Sequence, residues 1–102
     1  MDATIQSRLS ELEPICRRRG VRRLELFGSA ATAGFDPTRS DVDFLVELAP
    51  DPPGGPFDAF MGLKEDLEAL LGRSVDLVSL RARLNPYFLE SIADTRVLVY
   101  AA

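Results

Sequence analysis

The segment Ser40-Asp41-Val42-Asp43-Phe44-Leu45-Val46-Glu47 decides the fold of this chain, together with Leu26-Phe27-Gly28-Ser29 ahead of it. After Asp41, apolar residues occupy every second position, which predicts a strand with one apolar face. Asp41 and Asp43 fall on the opposite face of that strand. The residues before Gly28 alternate in the same way, and the glycine ends them with a turn. We therefore expect two strands, with an acidic pair on one and a glycine–serine turn at the end of the other.

Helical and extended patterns alternate along the rest of the chain. Residues 4–18 and 57–71 place apolar side chains on one helical face, which predicts two amphipathic helices. Asn85-Pro86 favours the start of a third helix that runs to about residue 94. Residues 74–78 and 96–100 are predicted to form short strands. This alternation predicts an α/β (α+β) fold in which helices pack against a sheet of about four strands.

Length and composition limit the chemistry. The 102 residues predict a single domain, residues 1–102, without room for a separate substrate-binding domain. A partner protein or self-association into a homo-oligomer must therefore supply part of the substrate recognition. The absence of histidine excludes histidine-dependent catalytic and zinc sites, and Cys16 alone cannot form an intramolecular disulfide. Any metal site must use oxygen ligands, which favours hard cations such as Mg²⁺ or Mn²⁺.

Charge and hydropathy limit the partners. A net charge of −4 and an isoelectric point near 4.7 disfavour binding to nucleic acid. The arginine cluster within residues 17–23 is either a solvated helix end or a patch for phosphate or a partner. No apolar run approaches the roughly 20 residues that span a bilayer, and residues 1–13 lack the apolar core of a signal peptide. We expect a cytoplasmic protein without a membrane partner.

Asp41 and Asp43 are the most informative residues for function. Two positions apart on a strand, they share a side and lie about 7 Å apart along the backbone, so their carboxylates can converge. One divalent cation offsets the repulsion between the two carboxylates, and two cations offset it better. Proteins use such two-metal sites to transfer phosphoryl and nucleotidyl groups. Alone, such a pair also fits solvated acids at the end of a strand.

Two further features support a nucleotide site. Gly28 allows the backbone to approach a phosphate, and the Ser29 hydroxyl and the next N–H groups can donate to phosphate oxygens. Asp76 lies within a short apolar strand. If that strand lies beside the one carrying Asp43, Asp76 can bind metal or accept a proton from an attacking hydroxyl. Otherwise, Asp76 is a solvent-facing residue on an edge strand.

Together these segments resemble the minimal nucleotidyltransferases of the DNA polymerase β superfamily. Members of that family carry Gly-Ser, about ten residues, Asp-x-Asp, and a third aspartate on a later strand. The matching segments here are Gly28-Ser29, Asp41-Val42-Asp43 and Val75-Asp76-Leu77-Val78. Asn85-Pro86-Tyr87-Phe88 and Val97-Leu98-Val99-Tyr100 resemble the last helix and strand of the family. The resemblance covers nearly the whole chain.

The resemblance implies a small nucleotidyltransferase core with a mixed sheet, ATP as substrate and two Mg²⁺ ions. By position, Gly28 and Ser29 would hold triphosphate oxygens, and Asp41 and Asp43 would bind both metals. Asp76 would bind the catalytic metal or act as the base, which completes a catalytic and metal-binding set of three aspartates. Many such proteins are antitoxins encoded beside a HEPN-domain ribonuclease toxin, which they neutralise by transferring AMP to a toxin tyrosine.

The chain departs from the family at one point. Members commonly read Gly-Ser-x-Ala-Arg-Gly, whereas residues 28–34 contain no arginine, and eleven residues separate Ser29 from Asp41. Arg39 is the candidate to supply the missing positive charge near the phosphates.

Two functions therefore stay open. The first is an adenylyltransferase that modifies a protein hydroxyl. The second is a catalytically weak or inactive antitoxin or interaction module that neutralises its partner by binding. The missing arginine favours the second, and the three retained acids favour the first, because clustered acids without a metal destabilise a fold. Transfer to a small molecule is disfavoured by the short chain.

Overall fold

The computed structural model describes residues 3–31, 41–80, 86–87, 90, 93 and 95–102. In these ranges, the chain forms three α-helices, four strands and one short 3₁₀ helix: α1 Ala3–Ser7, α2 Leu9–Arg19, β1 Val21–Phe27, the 3₁₀ helix Gly28–Ala31, β2 Val42–Leu48, α3 Pro56–Leu71, β3 Val75–Ser79 and β4 Val97–Ala101.

The four strands form one mixed sheet in the order β3-β2-β1-β4. β1 is antiparallel to both β2 and β4, whereas β2 and β3 are parallel. A parallel pair needs a long crossover, and α3 supplies it between β2 and β3. Pro56 opens α3 and Gly72, with a φ of 65°, caps its end. The predicted mixed sheet covered by helices is confirmed.

One face of the sheet is buried against the helices. The alternate positions Val42, Phe44 and Val46 of β2 point into this core, as the alternation predicted. The helices add further buried residues: Ile5, Leu12, Ile15, Cys16, Leu63, Leu67 and Leu71. Burial raises the pKa of the Cys16 thiol to about 12, so this cysteine packs as a neutral core residue.

The helical segment predicted over residues 4–18 is divided in two. The break falls at Arg8, where the Arg8 N–H donates to the Ile5 carbonyl at 3.0 Å and the Glu11 N–H donates to the Arg8 carbonyl at 2.9 Å. These tighter three-residue turns replace the four-residue bonds of a continuous α-helix. Gly20 then ends α2 in the left-handed conformation, as predicted.

The buried face of α3 differs from its predicted apolar face. Phe57 and Met61 remain 74% and 37% exposed, although both belong to the apolar pattern. The buried side includes the small residue Gly62, where a Cβ would collide with the Arg19 guanidinium. Glycine at this point leaves room for the Arg19 side chain of α2, and the buried side of α3 combines Ala59 and Gly62 with Leu63, Leu67 and Leu71.

The third predicted helix, Asn85 to Asp94, falls largely outside the described residues. Of those described, Pro86, Tyr87 and Glu90 are helical. No described helix is long and apolar enough to cross a membrane.

We expect Leu63→Ala to lower the free energy of unfolding by about 2–5 kcal/mol, because Leu63 is fully buried between α3 and the sheet. Met61→Ala, on the same helix but facing outward, is the matched control and should change it by about 0.5 kcal/mol or less. Urea denaturation, with the midpoint compared at constant m-value, measures both. Equal losses in the two variants would contradict the packing of α3 described above.

Candidate active site

A row of three residues crosses the sheet on the side opposite the helical core. Phe27 of β1 pairs with Asp43 of β2, and Asp43 pairs with Asp76 of β3. Directly paired residues point to the same face, and neighbouring strands lie about 4.8 Å apart. Asp43 and Asp76 therefore lie side by side, although they are far apart in sequence. Asp76 therefore lies on the strand beside that of Asp43, as its proposed role requires, and it is also exposed on the edge strand β3, as the alternative expected.

Asp43 lies in an apolar setting. Phe27 and Leu45 are buried on this face, and Val78 and Leu80 pack against them as a second, smaller cluster. Asp43 itself is half-buried, whereas Asp41 and Asp76 are exposed. Of the three acids, Asp43 is thus the one whose charge is screened least by solvent.

The electrostatics of Asp43 reflect this position. Burial, together with the negative charges of Asp76 and Asp41, raises the pKa of the Asp43 carboxyl from 3.8 to about 6, and burial is the largest of these causes. The three carboxylates are thus close enough to repel one another. This arrangement favours either a proton on Asp43 or a cation among the three acids.

Gly28 brings the glycine–serine turn against this acid. Its φ of 71° is a left-handed conformation that side chains other than glycine rarely adopt. A Cβ at this position would also collide with the Oδ2 atom of Asp43. The Gly28 N–H donates to the Thr95 Oγ1 at 3.3 Å. Two independent constraints therefore require glycine here, and the turn lies directly against the Asp43 carboxylate.

The donor set suits a hard divalent cation. Asp41, Asp43 and Asp76 offer only oxygen ligands and are close enough for the charges of Asp41 and Asp76 to act on Asp43, and Asp43 and Asp76 share one face of the sheet. Their side chains are not gathered as a finished site, because no three acidic or cysteine side chains among the described residues converge closely enough to hold an ion. The residues fit Mg²⁺ in chemistry and placement, and binding would require their carboxylates to rotate toward one point.

The remaining predicted site residues are placed only in part. The backbone of Ser29 lies in the 3₁₀ helix that follows the turn. The Ser29 side chain and the whole of Arg39 lie outside the described residues.

Sequence reasoning missed Glu25, which is only 3% exposed. Its carboxylate accepts hydrogen bonds from Arg96 Nε at 2.6 Å and from Arg23 Nε at 2.8 Å. Burial alone would raise the pKa of Glu25, but these two hydrogen bonds outweigh it and lower the pKa below its usual value. In the sequence, Glu25 is one polar position in an alternating strand, and nothing indicates that its main partner lies 71 residues away. Thr95 was missed for the same reason.

The arginine cluster near the end of α2 is engaged in ion pairs. Arg18 and Arg19 both bind Asp66 of α3, at 3.1 and 2.7 Å. In the other three ion pairs, Arg17 binds Glu13 at 2.7 Å, Arg22 binds Glu47 at 4.0 Å and Arg23 binds Glu25 at 2.8 Å. Because each arginine has an acidic partner within the chain, the cluster fits a structural role better than a phosphate-binding patch.

Comparison with known proteins gives a consistent result. The sequence profile of the nucleotidyltransferase domain matches residues 9–99. A protein of Methanocaldococcus jannaschii, provisionally named a protein adenylyltransferase, is 35% identical over 100 residues, covering 89% of this chain and 97% of the relative. A solved structure, provisionally described as a minimal nucleotidyltransferase, superposes with a TM-score of 0.75 at 35% identity and covers 95% of both chains.

A more distant likeness supports the fold alone. A chain from the solved complex of a tri-AMPylated Shewanella oneidensis HEPN toxin with an MNT antitoxin superposes with a TM-score of 0.64. It is 20% identical and covers 95% of this chain and 72% of that one.

The raised pKa of Asp43 predicts a specific pH dependence of stability. Because the folded carboxyl binds its proton more tightly than the unfolded one, the metal-free protein should lose stability as pH rises from about 4 to about 6, and then level off. Asp43→Asn should abolish this contribution and raise stability at pH 7 by on the order of 1–3 kcal/mol. Denaturation midpoints measured with a chelator present test it. Asp51→Asn, in the exposed loop before α3, is the control and should retain the wild-type profile.

Proposed function

This chain belongs to the nucleotidyltransferase domain family, and from that membership we propose that it transfers AMP from ATP to a hydroxyl of a partner protein in a Mg²⁺-dependent reaction. Asp41, Asp43 and Asp76 hold the cation, and the Gly28–Ser29 turn holds the triphosphate.

The position of Asp43 is the observation that carries this proposal. Its carboxylate contacts the backbone of Gly28 on one side and lies in register with Asp76 on the other. A triphosphate held at the turn would therefore lie next to the acids that bind its cation. An acid pair placed for solubility alone would not require a glycine in van der Waals contact with it.

The turn offers donors for phosphate oxygens. The Gly28 N–H is engaged by Thr95, and we assign the N–H groups of Ser29 and Ala30, which follow it in the 3₁₀ helix, as the backbone donors to the nucleotide. The Ser29 hydroxyl and Arg39 complete this set, as the family resemblance implies. Bare backbone at Gly28 lets the phosphates approach without steric hindrance.

Asp76 is the residue proposed to handle the proton. Bound Mg²⁺ would neutralise the acids and stabilise the charge that develops on the triphosphate. Asp76 accepts the proton of the attacking hydroxyl. The hydroxyl oxygen then forms a bond to the α-phosphorus of ATP, and the bond from that phosphorus to the bridging oxygen breaks to release pyrophosphate. The exposed place of Asp76 on the edge strand β3 leaves it accessible to an acceptor as large as a protein.

We propose a tyrosine of a cognate HEPN toxin as the acceptor. The relative from Methanocaldococcus jannaschii is named for transfer to protein, and the fold is shared with a chain from a complex that contains an AMPylated HEPN toxin.

A second candidate function is neutralisation of the partner by binding alone. Two observations favour it: residues 28–34 lack the arginine common in the family, and the three carboxylates are not gathered around a point. Nucleotide binding distinguishes the two candidates before any partner is known.

Mg²⁺–ATP should stabilise the wild-type protein. A ligand that binds only the folded state at about 100 times its dissociation constant adds about 2.7 kcal/mol. Asp41→Asn/Asp43→Asn should lose that stabilisation, because its cation ligands are gone. The shift in thermal midpoint must be measured within each variant, since removing the repelling charges also stabilises the ligand-free protein. Asp51→Asn keeps the site and should shift like wild type, whereas a wild type that does not respond favours the binding-only function.

Incubation with the cognate toxin and ATP labelled on the α-phosphate should add a mass of one or more AMP groups to the toxin. Asp76→Asn should reduce transfer strongly, about 100-fold or more, because a missing general base removes about 10²–10⁴-fold of rate. Intact-mass spectrometry, followed by peptide mapping, identifies the modified residue. Toxin that is neutralised but unmodified would refute adenylyl transfer to this partner.

A further inference from the structure

Thr95 connects the last strand to the glycine–serine turn. Its Oγ1 accepts the Gly28 N–H at 3.3 Å across 67 residues of sequence, and it lies two residues before β4 begins. On its other side, Gly28 touches the Asp43 carboxylate. The backbone of Gly28 is thus located by two contacts, one with an acid of the site and one with a residue that the site does not contain.

A partly buried ion pair anchors Arg96, the residue next to Thr95. The next residue, Arg96, donates from Nε to Glu25 Oε2 at 2.6 Å. Arg23 donates to the other oxygen of the same carboxylate, so both oxygens of Glu25 are engaged. Hydrogen bonds between charged groups are shorter and about twice as strong as neutral ones. Since Glu25 is almost fully buried, Arg96 has little freedom to move away from it.

The register of β4 changes at the same place. Leu24 pairs with Tyr100, but Glu25 pairs with Leu98, so the extra residue Val99 forms an irregularity in β4 opposite this step. Irregularities of this kind redirect the strand and the side chains next to it. The ion pair and the register shift together determine how the segment that carries Thr95 approaches the turn.

We propose that Thr95, held by the Glu25–Arg96 ion pair, is a positioning residue that sets the Gly28–Ser29 turn relative to Asp43 for binding of the nucleotide triphosphate. This inference rests on the proposed nucleotidyl-transfer function. By engaging the Gly28 N–H, Thr95 directs the following N–H groups toward the phosphates. It acts on nucleotide binding through the turn and does not touch the reacting atoms.

Thr95→Val tests the role of the hydroxyl, because valine keeps the shape and removes the acceptor. We expect the dissociation constant for Mg²⁺–ATP to rise roughly 2- to 12-fold, the range that loss of one hydrogen bond gives, with kcat toward the partner nearly unchanged. Amide exchange at Gly28, followed by ¹⁵N NMR, should become faster. Thr95→Ser restores the acceptor and should return both quantities toward wild type.

Arg96→Gln and Arg19→Gln separate positioning from stability. Both replacements break an ion pair of similar length, with Glu25 at 2.6 Å or with Asp66 at 2.7 Å. Both should lower the thermal midpoint, but only Arg96→Gln should raise the Mg²⁺–ATP dissociation constant and speed Gly28 exchange. Equal effects of the two variants on nucleotide binding would overturn the inference, because loss of stability would then explain them.

The wild-type measurement separates this inference from the proposed function. A wild type that binds no Mg²⁺–ATP refutes the nucleotide function and this inference with it. A wild type that binds while Thr95→Val binds equally well, with unchanged Gly28 exchange, refutes the positioning role alone.

Discussion

Parallel pairing of β2 and β3 holds the carboxylates of Asp43 and Asp76 side by side, and the rest of the fold must tolerate their repulsion. Burial, together with that repulsion, raises the pKa of Asp43 to about 6, so the charged Asp43 carboxylate opposes folding at neutral pH. Burial of apolar side chains on the other face of the same strands offsets this unfavourable free energy. Each fully buried side chain such as Phe44 or Leu67 contributes about 1.5–3 kcal/mol, so a few of them offset the charge repulsion.

The position of Asp43 also limits which residue can follow the end of β1, at the turn that begins with Gly28. Because its Cβ position is occupied by the Asp43 carboxylate, no side chain can separate the turn from the acids. The end of β1 therefore lies against Asp43 of β2, and Thr95, which precedes β4, accepts a hydrogen bond from the same glycine. Asp43 of β2 and Thr95, which leads into β4, thus lie on either side of the glycine that ends β1.

Much of the fold could be predicted from the sequence because each strand carries its own pattern. Val42, Phe44 and Val46 are buried and Asp43 lies on the opposite face, as alternation requires. Glu25 could not be found in this way, since its burial depends on Arg96, and no local pattern links residues so distant in sequence. Phe57 was misplaced for a related reason. Apolar spacing identifies a helix but not which side meets its neighbour, and here the small Gly62 marks the close approach of Arg19. The sequence predicted that Asp41, Asp43 and Asp76 belong together. It did not predict that β2 and β3 are neighbours, which is what places Asp76 beside Asp43.

The ion pairs that arginines form within the chain limit which of them can supply positive charge to a nucleotide. The cluster at the end of α2 joins that helix to Asp66 of α3, and Arg96 joins β4 to Glu25 of β1. Moving Arg96 to a phosphate would remove one of the two partners of the buried Glu25, and moving Arg18 or Arg19 would remove one of the two partners of Asp66, so each move weakens an ion pair that the fold uses. On the proposed function, the triphosphate meets three carboxylates, backbone N–H groups, the Ser29 hydroxyl and Arg39, and the cation that accompanies it balances the greater part of its negative charge. A site built in this way should discriminate strongly between free ATP and its magnesium complex, because the same acids that bind the complex repel the bare nucleotide.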